Sequence, residues 1–232
     1  PYGFDLEIDK GIPLGSGLGG SAASAVAGVV AAAALVDEPL DRTQLLKYAM
    51  QGEAVASGTV HVDNIAPSLY GGLVLTVGID NPFVKQIPVP EAIRCVLVHP
   101  HMVLPTREAR AILSRTVSLS DVTWQQANLA GFIAGCFSND LALIRESLLD
   151  VLIEPQRQVL IPGFAEVKQA AMAAGALGGS ISGAGPTVFA WADVADAEKV
   201  QAAMVEAFAR HGLATDSWIS TIDRDGARVV GD

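Results

Sequence analysis

Cysteine is nearly missing from this 232-residue sequence: Cys95 and Cys136 are the two present. Two thiols cannot build a disulfide framework, so a reducing cytoplasm is the expected compartment. Charge is thin as well, at 17% of residues. That falls below the share usual for soluble chains and speaks against a charge-patterned linker or a disordered tail. Basic residues are the scarcer sign, 15 against 25 acidic, for a formal charge of −10. An acidic chain repels phosphate backbones and anionic lipid, which demotes nucleic-acid and membrane-surface roles. No charged stretch followed by an apolar run opens the chain, so no signal peptide is expected. The sequence begins at Pro1, without Met, and alternates at once through Tyr2, Phe4, Leu6 and Ile8. This predicts a half-buried strand at the front of a fragment whose N-terminal partner is missing. What is abundant is apolar side chain, 50% of residues, together with 23 glycines, enough for the core of one large or two small domains.

The longest stretch without charge, residues 11–36, has the length of a membrane span. It holds six Gly, a Pro and three Ser, and half of the remainder is Ala rather than the Leu and Ile that drive insertion. It reads as a glycine loop followed by a buried helix of small residues over 21–35, stopped by Asp37-Glu38-Pro39. Asp41 is the expected N-cap of a helix through Glu53. Residues 61–67 read as a loop or helix start, and 73–77 as a strand. Three prolines within 82–90 mark a domain boundary near residue 83, dividing the chain into 1–83 and 84–232. The first part holds three basic and nine acidic residues.

The second part reads as mixed α+β. Strands are expected at 93–98, 177–182, 187–192 and 218–222. Helices are expected from a Thr106 cap to residue 115, from a Ser120 cap to 137, and over 139–152, 164–174 and a span including 200–211. No internal repeat is visible.

The junction of strand, glycine loop and helix is a ready anion site. Backbone N–H groups point outward, the helix dipole favours negative charge, and glycine lets a phosphate approach where a Cβ would collide. Gly15-x-Gly17-x-x-Gly20 matches the dinucleotide fingerprint in letters, but the acidic strand end that motif needs after the helix is absent. A Walker loop needs Gly-Lys-Ser/Thr, and the loop holds no lysine. What remains is a nucleotide loop that works without its own lysine; its bland counterpart, tight packing of a small-residue helix, is poorly matched by four glycines in six positions.

The stretch Pro13-Leu14-Gly15-Ser16-Gly17-Leu18-Gly19-Gly20-Ser21-Ala22-Ala23 resembles the second signature of the GHMP kinases. Ser180-Ile181-Ser182-Gly183-Ala184-Gly185-Pro186-Thr187 resembles their third. His61-Val62-Asp63-Asn64-Ile65-Ala66-Pro67 and Ile153-Glu154-Pro155-Gln156-Arg157 resemble segments of the homoserine kinases within that superfamily. The likeness runs over nearly the whole chain; the superfamily's first signature is not present. The fold it implies is α+β with two domains, an N-terminal β/α domain, incomplete here, and a C-terminal ferredoxin-like α/β sandwich. The activity it implies is ATP-dependent phosphorylation of the hydroxyl of L-homoserine in threonine biosynthesis, in the cytoplasm.

The resemblance also implies roles. Pro13 to Ala22 would bind the nucleotide, and Ser21 and Glu53 would hold Mg²⁺. With so few basic residues in the first part, phosphate charge must be met by backbone dipoles and a metal, and Mg²⁺ prefers hard oxygen ligands. An isolated glutamate is otherwise most often a solvated helix-end carboxylate. His61, Asp63 and Asn64 would line the acceptor pocket. Thr106, Arg110 and Arg157 would take the amino acid's head group, with Gly183 also against substrate. Asn64 and Arg110 are the implied catalytic pair. An amide cannot accept the hydroxyl proton, so Asn64 would orient the acceptor, which a loose phosphoryl-transfer transition state tolerates. The plainer reading of Asp63 and Asn64 is helix capping, and that of Gly183 to Gly185 a hairpin turn. His99 and His101 lack a third ligand at useful spacing and read as strand-end residues. The partner is then a small molecule, with neither nucleic acid nor membrane, and a homodimer is an admitted assembly. Two other outcomes stay open: a non-catalytic nucleotide or amino-acid binding module, and a GHMP kinase for another acceptor such as mevalonate. An RNA-binding role by fold analogy fits poorly with the acidic balance.

Overall fold

The computed structural model describes residues 3–57, 61–78 and 81–231. The chain forms two compact units, each discontinuous in sequence. One is drawn from Pro1–Leu14, Gly19–Pro88 and Asp223–Asp232, the other from Gly15–Leu18 and Val89–Ile222.

The first unit contains α1 (Gly20–Ala33), α2 (Arg42–Ser57), α3 (Val62–Tyr70) and an antiparallel hairpin of β1 (Leu73–Val77) with β2 (Phe83–Ile87). Helix α2 opens on a reciprocal cap: Gln44 N donates to Asp41 Oδ1 and Asp41 N to Gln44 Oε1, both at 2.8 Å. The small residues of α1 let it press closely on its neighbours. Ala22 and Val26 share a core with Leu46, Ala49, Ile65, Ala66 and Leu69. Residues 223–231 return to this unit. Gly72 N donates to Asp223 O at 2.6 Å, Ala227 N donates to Ser68 O at 3.0 Å, and Ala227 packs on the core. The approach is so close that a Cβ on Gly71 would lie 2.7 Å from Arg224 O, and Gly71 also has φ 78°. An apolar cleft of about 760 Å³ remains along α1, α3 and this returning segment.

The second unit is a four-stranded antiparallel sheet in the order β4-β5-β3-β6, made of β3 (Ile93–Pro100), β4 (Gly178–Ile181), β5 (Val188–Asp193) and β6 (Thr215–Ser220). Between β3 and β4 run α4 (Thr106–Ala111), α5 (Leu119–Ser138), α6 (Leu141–Ser147), α7 (Glu154–Arg157), a 3-10 turn and α8 (Phe164–Ala173). Helix α9 (Ala197–Arg210) joins β5 to β6. Two crossovers around a central hairpin, with every strand pair antiparallel, give the ferredoxin-like split β-α-β arrangement. One sheet face is buried: Val96, Val98, Val188, Ala190 and Ala192 meet Phe164 and Val167 of α8 and Val200, Met204 and Phe208 of α9. Each large side chain sealed in this way contributes about 1.5–3 kcal/mol. No helix among the described residues is long and apolar enough to cross a membrane.

Several expectations need correction. Residues 3–10 belong to neither sheet, and Phe4, Leu6 and Ile8 are exposed; the alternation is there, but no ladder among the described residues takes it up. Tyr2, in the same expected strand, lies outside the described residues. The proline-flanked stretch near residue 83, expected as a domain boundary, carries a strand, for Phe83 to Ile87 pair with Val77 to Leu73. The first unit therefore runs on to Pro88, gives up Gly15–Leu18 and gains residues 223–232. Thr106 is the first helical residue of α4 and Pro105 its N-cap. Ser118, not Ser120, caps α5, accepting from Asp121 N at 3.1 Å. The helix expected over 139–152 is shorter because Asn139 adopts φ 56°, ending α5, and Asp140 caps α6.

Candidate active site

The start of α1 is bare of side-chain caps: Gly19 stands at the N-cap with φ 70°, and no acidic residue occupies the first turn. Its free amide ends and dipole leave local positive potential there. Ser21, in that turn, donates from Oγ to Glu53 Oε2 at 2.7 Å. The other carboxylate oxygen, Oε1, lies 3.0 Å from His61 Nδ1. Glu53 is 2% exposed, so α2 carries a carboxylate inward, the reverse of a solvated helix-end glutamate. Asn64, on α3, sits beside Gly19, its Oδ1 3.7 Å from where a Cβ there would stand. Asp63 lies exposed in the first turn of α3, and the N-cap of that helix, His61, makes no side-chain cap; neither Asp63 nor Asn64 caps it. Lys10 Nζ lies 3.6 Å from the Cβ position of Gly20, which brings an ammonium to the first turn of α1.

Ser21 and Glu53 supply a hydroxyl and a carboxylate oxygen in contact. Among the described residues no group of three or more His, Cys, Asp and Glu side chains could hold a metal ion. Two hard oxygen donors fit Mg²⁺, which keeps most of its shell for phosphate and water, and would not suit a fully protein-ligated zinc.

In the second unit, loop Gly15–Leu18 rests on the turn between β4 and β5. Ser182 Oγ donates to Gly17 O at 3.0 Å, and Thr187 N donates to Ser16 O at 3.2 Å. A Cβ on Gly17 would meet the carbonyl oxygens of Ser182 and Gly185, the latter at 2.7 Å, and Gly17 has φ 80°. Glycine is required there on both counts. Thr187 is also held from behind, its Oγ1 3.0 Å from His99 Nδ1. Burial first, and then the nearby His101, lower the His99 pKa from the ordinary histidine value, against an opposing pull from Asp216.

Arg157, at the end of α7, donates from Nε to Ala109 O at 3.0 Å and from Nη1 to Gly183 O at 2.9 Å. It thus brackets α4 and the β4–β5 turn, and the Ala109 contact brings it beside Arg110. Burial, and then the Arg110 charge, pull Arg157 below the usual arginine range, partly offset by Asp150. Two guanidinium charges that act on each other favour an anion near both. Asp150 also fixes α7, its carboxylate accepting from the amides of Leu152, Ile153 and Glu154. Glu154 is buried and paired with Lys168 at 2.5 Å; its Oε2 has no hydrogen-bond partner among the described residues.

Against known sequences, the GHMP kinases N terminal domain family matches residues 2–72 and the GHMP kinases C terminal family residues 132–210. A homoserine kinase of Xylella fastidiosa is 50% identical over 99% of this chain and 71% of its own length. One from Xanthomonas campestris pv. campestris is 51% identical, again over 99% and 71%. The chain belongs to the homoserine kinases of the GHMP kinase family. The crystal structure of homoserine kinase from Cytophaga hutchinsonii superposes with a TM-score of 0.92 at 44% identity, covering 95% of this chain and 70% of that one. As a GHMP kinase the chain uses ATP. Its family motifs fall as follows: Ser21, Glu53, His61 and Asn64 in the first unit, Gly15–Leu18, Thr106, Arg110, Arg157 and Gly183 in the second. The glycines of the third signature do form the hairpin turn of the plainer reading, and that turn contacts loop Gly15–Leu18. Ser182, directly before Gly183 in that signature, makes the side-chain contact, and that adjacency is the one signal the sequence offers for it.

Proposed function

We propose that the chain transfers the γ-phosphoryl group of ATP to the side-chain hydroxyl of L-homoserine, giving O-phospho-L-homoserine for threonine biosynthesis. The observation that carries this reading is the Ser21–Glu53 contact at the uncapped start of α1, in a chain of this family. Residues 13–22 receive the triphosphate on backbone amides, with glycines at the points of closest approach and the Lys10 ammonium adding charge at the first turn. Ser21 and Glu53 would hold Mg²⁺, which when bound neutralises phosphate oxygens. Arg110 and Arg157 take the amino acid's carboxylate. Arg157 keeps Nη2 for that purpose, since Nε and Nη1 hold backbone carbonyls. Thr106 stands one helical turn before Arg110 on α4 and adds a hydroxyl on the same face. His61 and Asp63 flank the acceptor, and Asn64 orients its hydroxyl; with no strong base required by a loose transition state, positioning does most of the catalysis. Cys95 and Cys136 are free thiols, consistent with the cytoplasm we assign.

Coupled ADP release with homoserine, mevalonate and galactose tests the reading. Homoserine should support turnover well above the other two. Turnover on mevalonate or galactose with none on homoserine overturns the acceptor assignment. Homoserine and nucleotide binding without ADP release would make the chain a binding module.

A further inference from the structure

We propose that Ser182 is a positioning residue through which an occupied acceptor pocket tightens the hold of loop Gly15–Leu18 on ATP. The proposal rests on the homoserine kinase reading above. Its route lies within the second unit. Arg157 Nη1 holds Gly183 O at 2.9 Å while its Nε holds Ala109 O at 3.0 Å. Gly183 leans on the phosphate loop, for a Cβ on it would stand 2.8 Å from Gly17 O. Ser182 Oγ donates to that same oxygen at 3.0 Å. One carbonyl of the loop is therefore fixed by a turn that a substrate-facing arginine holds in place.

The two states differ electrostatically. Without an anion, the Arg110 charge works against Arg157, as the downward pull on the Arg157 pKa shows. A bound carboxylate supplies the opposite charge and favours the position in which Arg157 meets Gly183. A turn held more firmly fixes Gly17, and a loop already ordered loses less entropy when phosphate arrives. Linkage makes the effect mutual: ATP must tighten homoserine by the same factor. Ser182→Ala removes the donor, whereas Ser182→Thr keeps it.

The experiment titrates Mg²⁺ with AMP-PNP, a non-hydrolysable ATP analogue, into the whole protein by calorimetry, with and without saturating L-homoserine. Homoserine should tighten the analogue about 5-fold or more in the unaltered protein. Ser182→Ala should bring that ratio to about 1 with homoserine's own affinity held within about twofold, and Ser182→Thr should restore it. A second measurement needs no variant. 2-Amino-1,4-butanediol keeps the amine and hydroxyl but lacks the carboxylate, and should give no tightening at saturation. Equal tightening by the diol, a ratio of about 1 in the unaltered protein, or an undiminished ratio in Ser182→Ala overturns the proposal. ADP release from homoserine in the same preparation separates the two claims: turnover without coupling sinks the proposal alone, and absence of both binding and turnover sinks the proposed function with it.

Discussion

Two glutamates are buried among the described residues, and their surroundings differ in kind. Glu154 in the second unit faces Lys168 at 2.5 Å, a fixed cation that neutralises it. Glu53 in the first unit has a hydroxyl and an imidazole among its described partners, Ser21 at 2.7 Å and His61 at 3.0 Å. A buried carboxylate costs several kcal/mol to desolvate, so the protein must supply a counter-charge or leave room for one. Lys168 is the supplied kind and gives a structural pair. Glu53 instead contacts a hydroxyl at a helix start, the contact on which the proposed Mg²⁺ role rests.

The largest expected effect breaks the structural half. Lys168→Met should lower unfolding stability by about 3–5 kcal/mol, because it strands a buried carboxylate. Urea denaturation measures the loss, and the Mg²⁺ dependence of turnover should not move. A stability loss under about 1 kcal/mol would mean that Glu154 was never dependent on its partner. Glu53→Gln breaks the other half: it keeps an acceptor for Ser21 but removes the charge. Its kcat should fall about 100- to 1,000-fold, the scale of one lost preorganised electrostatic contact, with a smaller stability change than Lys168→Met. Near-normal turnover at low Mg²⁺ would remove Glu53 from the metal site.

A third buried group sharpens the comparison through a neutral partner. His99 contacts Thr187 Oγ1, and burial leads the lowering of its pKa, so it resists taking a proton in the native state. The unfolded chain protonates it near the ordinary value of 6.5, so the stability it carries is complete above that pH and declines as pH falls toward the native value. The slope is at most about 1.4 kcal/mol per pH unit. His99→Asn, which can still donate to Thr187, should flatten this part of a stability–pH profile; an unchanged slope assigns it to other groups. The smallest effect concerns the thiols. Burial pushes Cys95 to about 12 and Cys136 to about 11, so a disulfide reagent at pH 8 should label them at the rate of unfolding or local opening. Rapid labelling of both under native conditions would contradict the burial.

The candidate site was partly legible in the sequence. The glycines and Ser21 mark a candidate anion loop through backbone physics alone, whereas Glu53 stood out only through family resemblance, since nothing local says that α2 turns it inward. Contacts distant in sequence were not legible. Ser182 reaches Gly17 across 165 positions, and a sequence pattern carries no sign of such a pairing. Strand β1 was visible in its own residues; β2 was hidden because Pro82 and Pro88, which bound it, read as a domain boundary. In the Ser118–Ser120 region two serines compete as caps, and geometry decides for the one whose side chain meets the Asp121 amide. The discontinuous units follow from tertiary pairing, which charge shifts and proline counts do not report.

The return of residues 223–231 to the first unit sets an order of events during synthesis. Helices α1 and α3 emerge early from the ribosome, but the segment that supplies Ala227 and caps Gly72 is translated last of the described elements. At ~5–20 residues per second, the intervening second unit delays it by on the order of ten seconds. For that interval the flank of α1 that Ala227 will meet is uncovered, and the nascent chain must stay clear of aggregation until its own tail arrives.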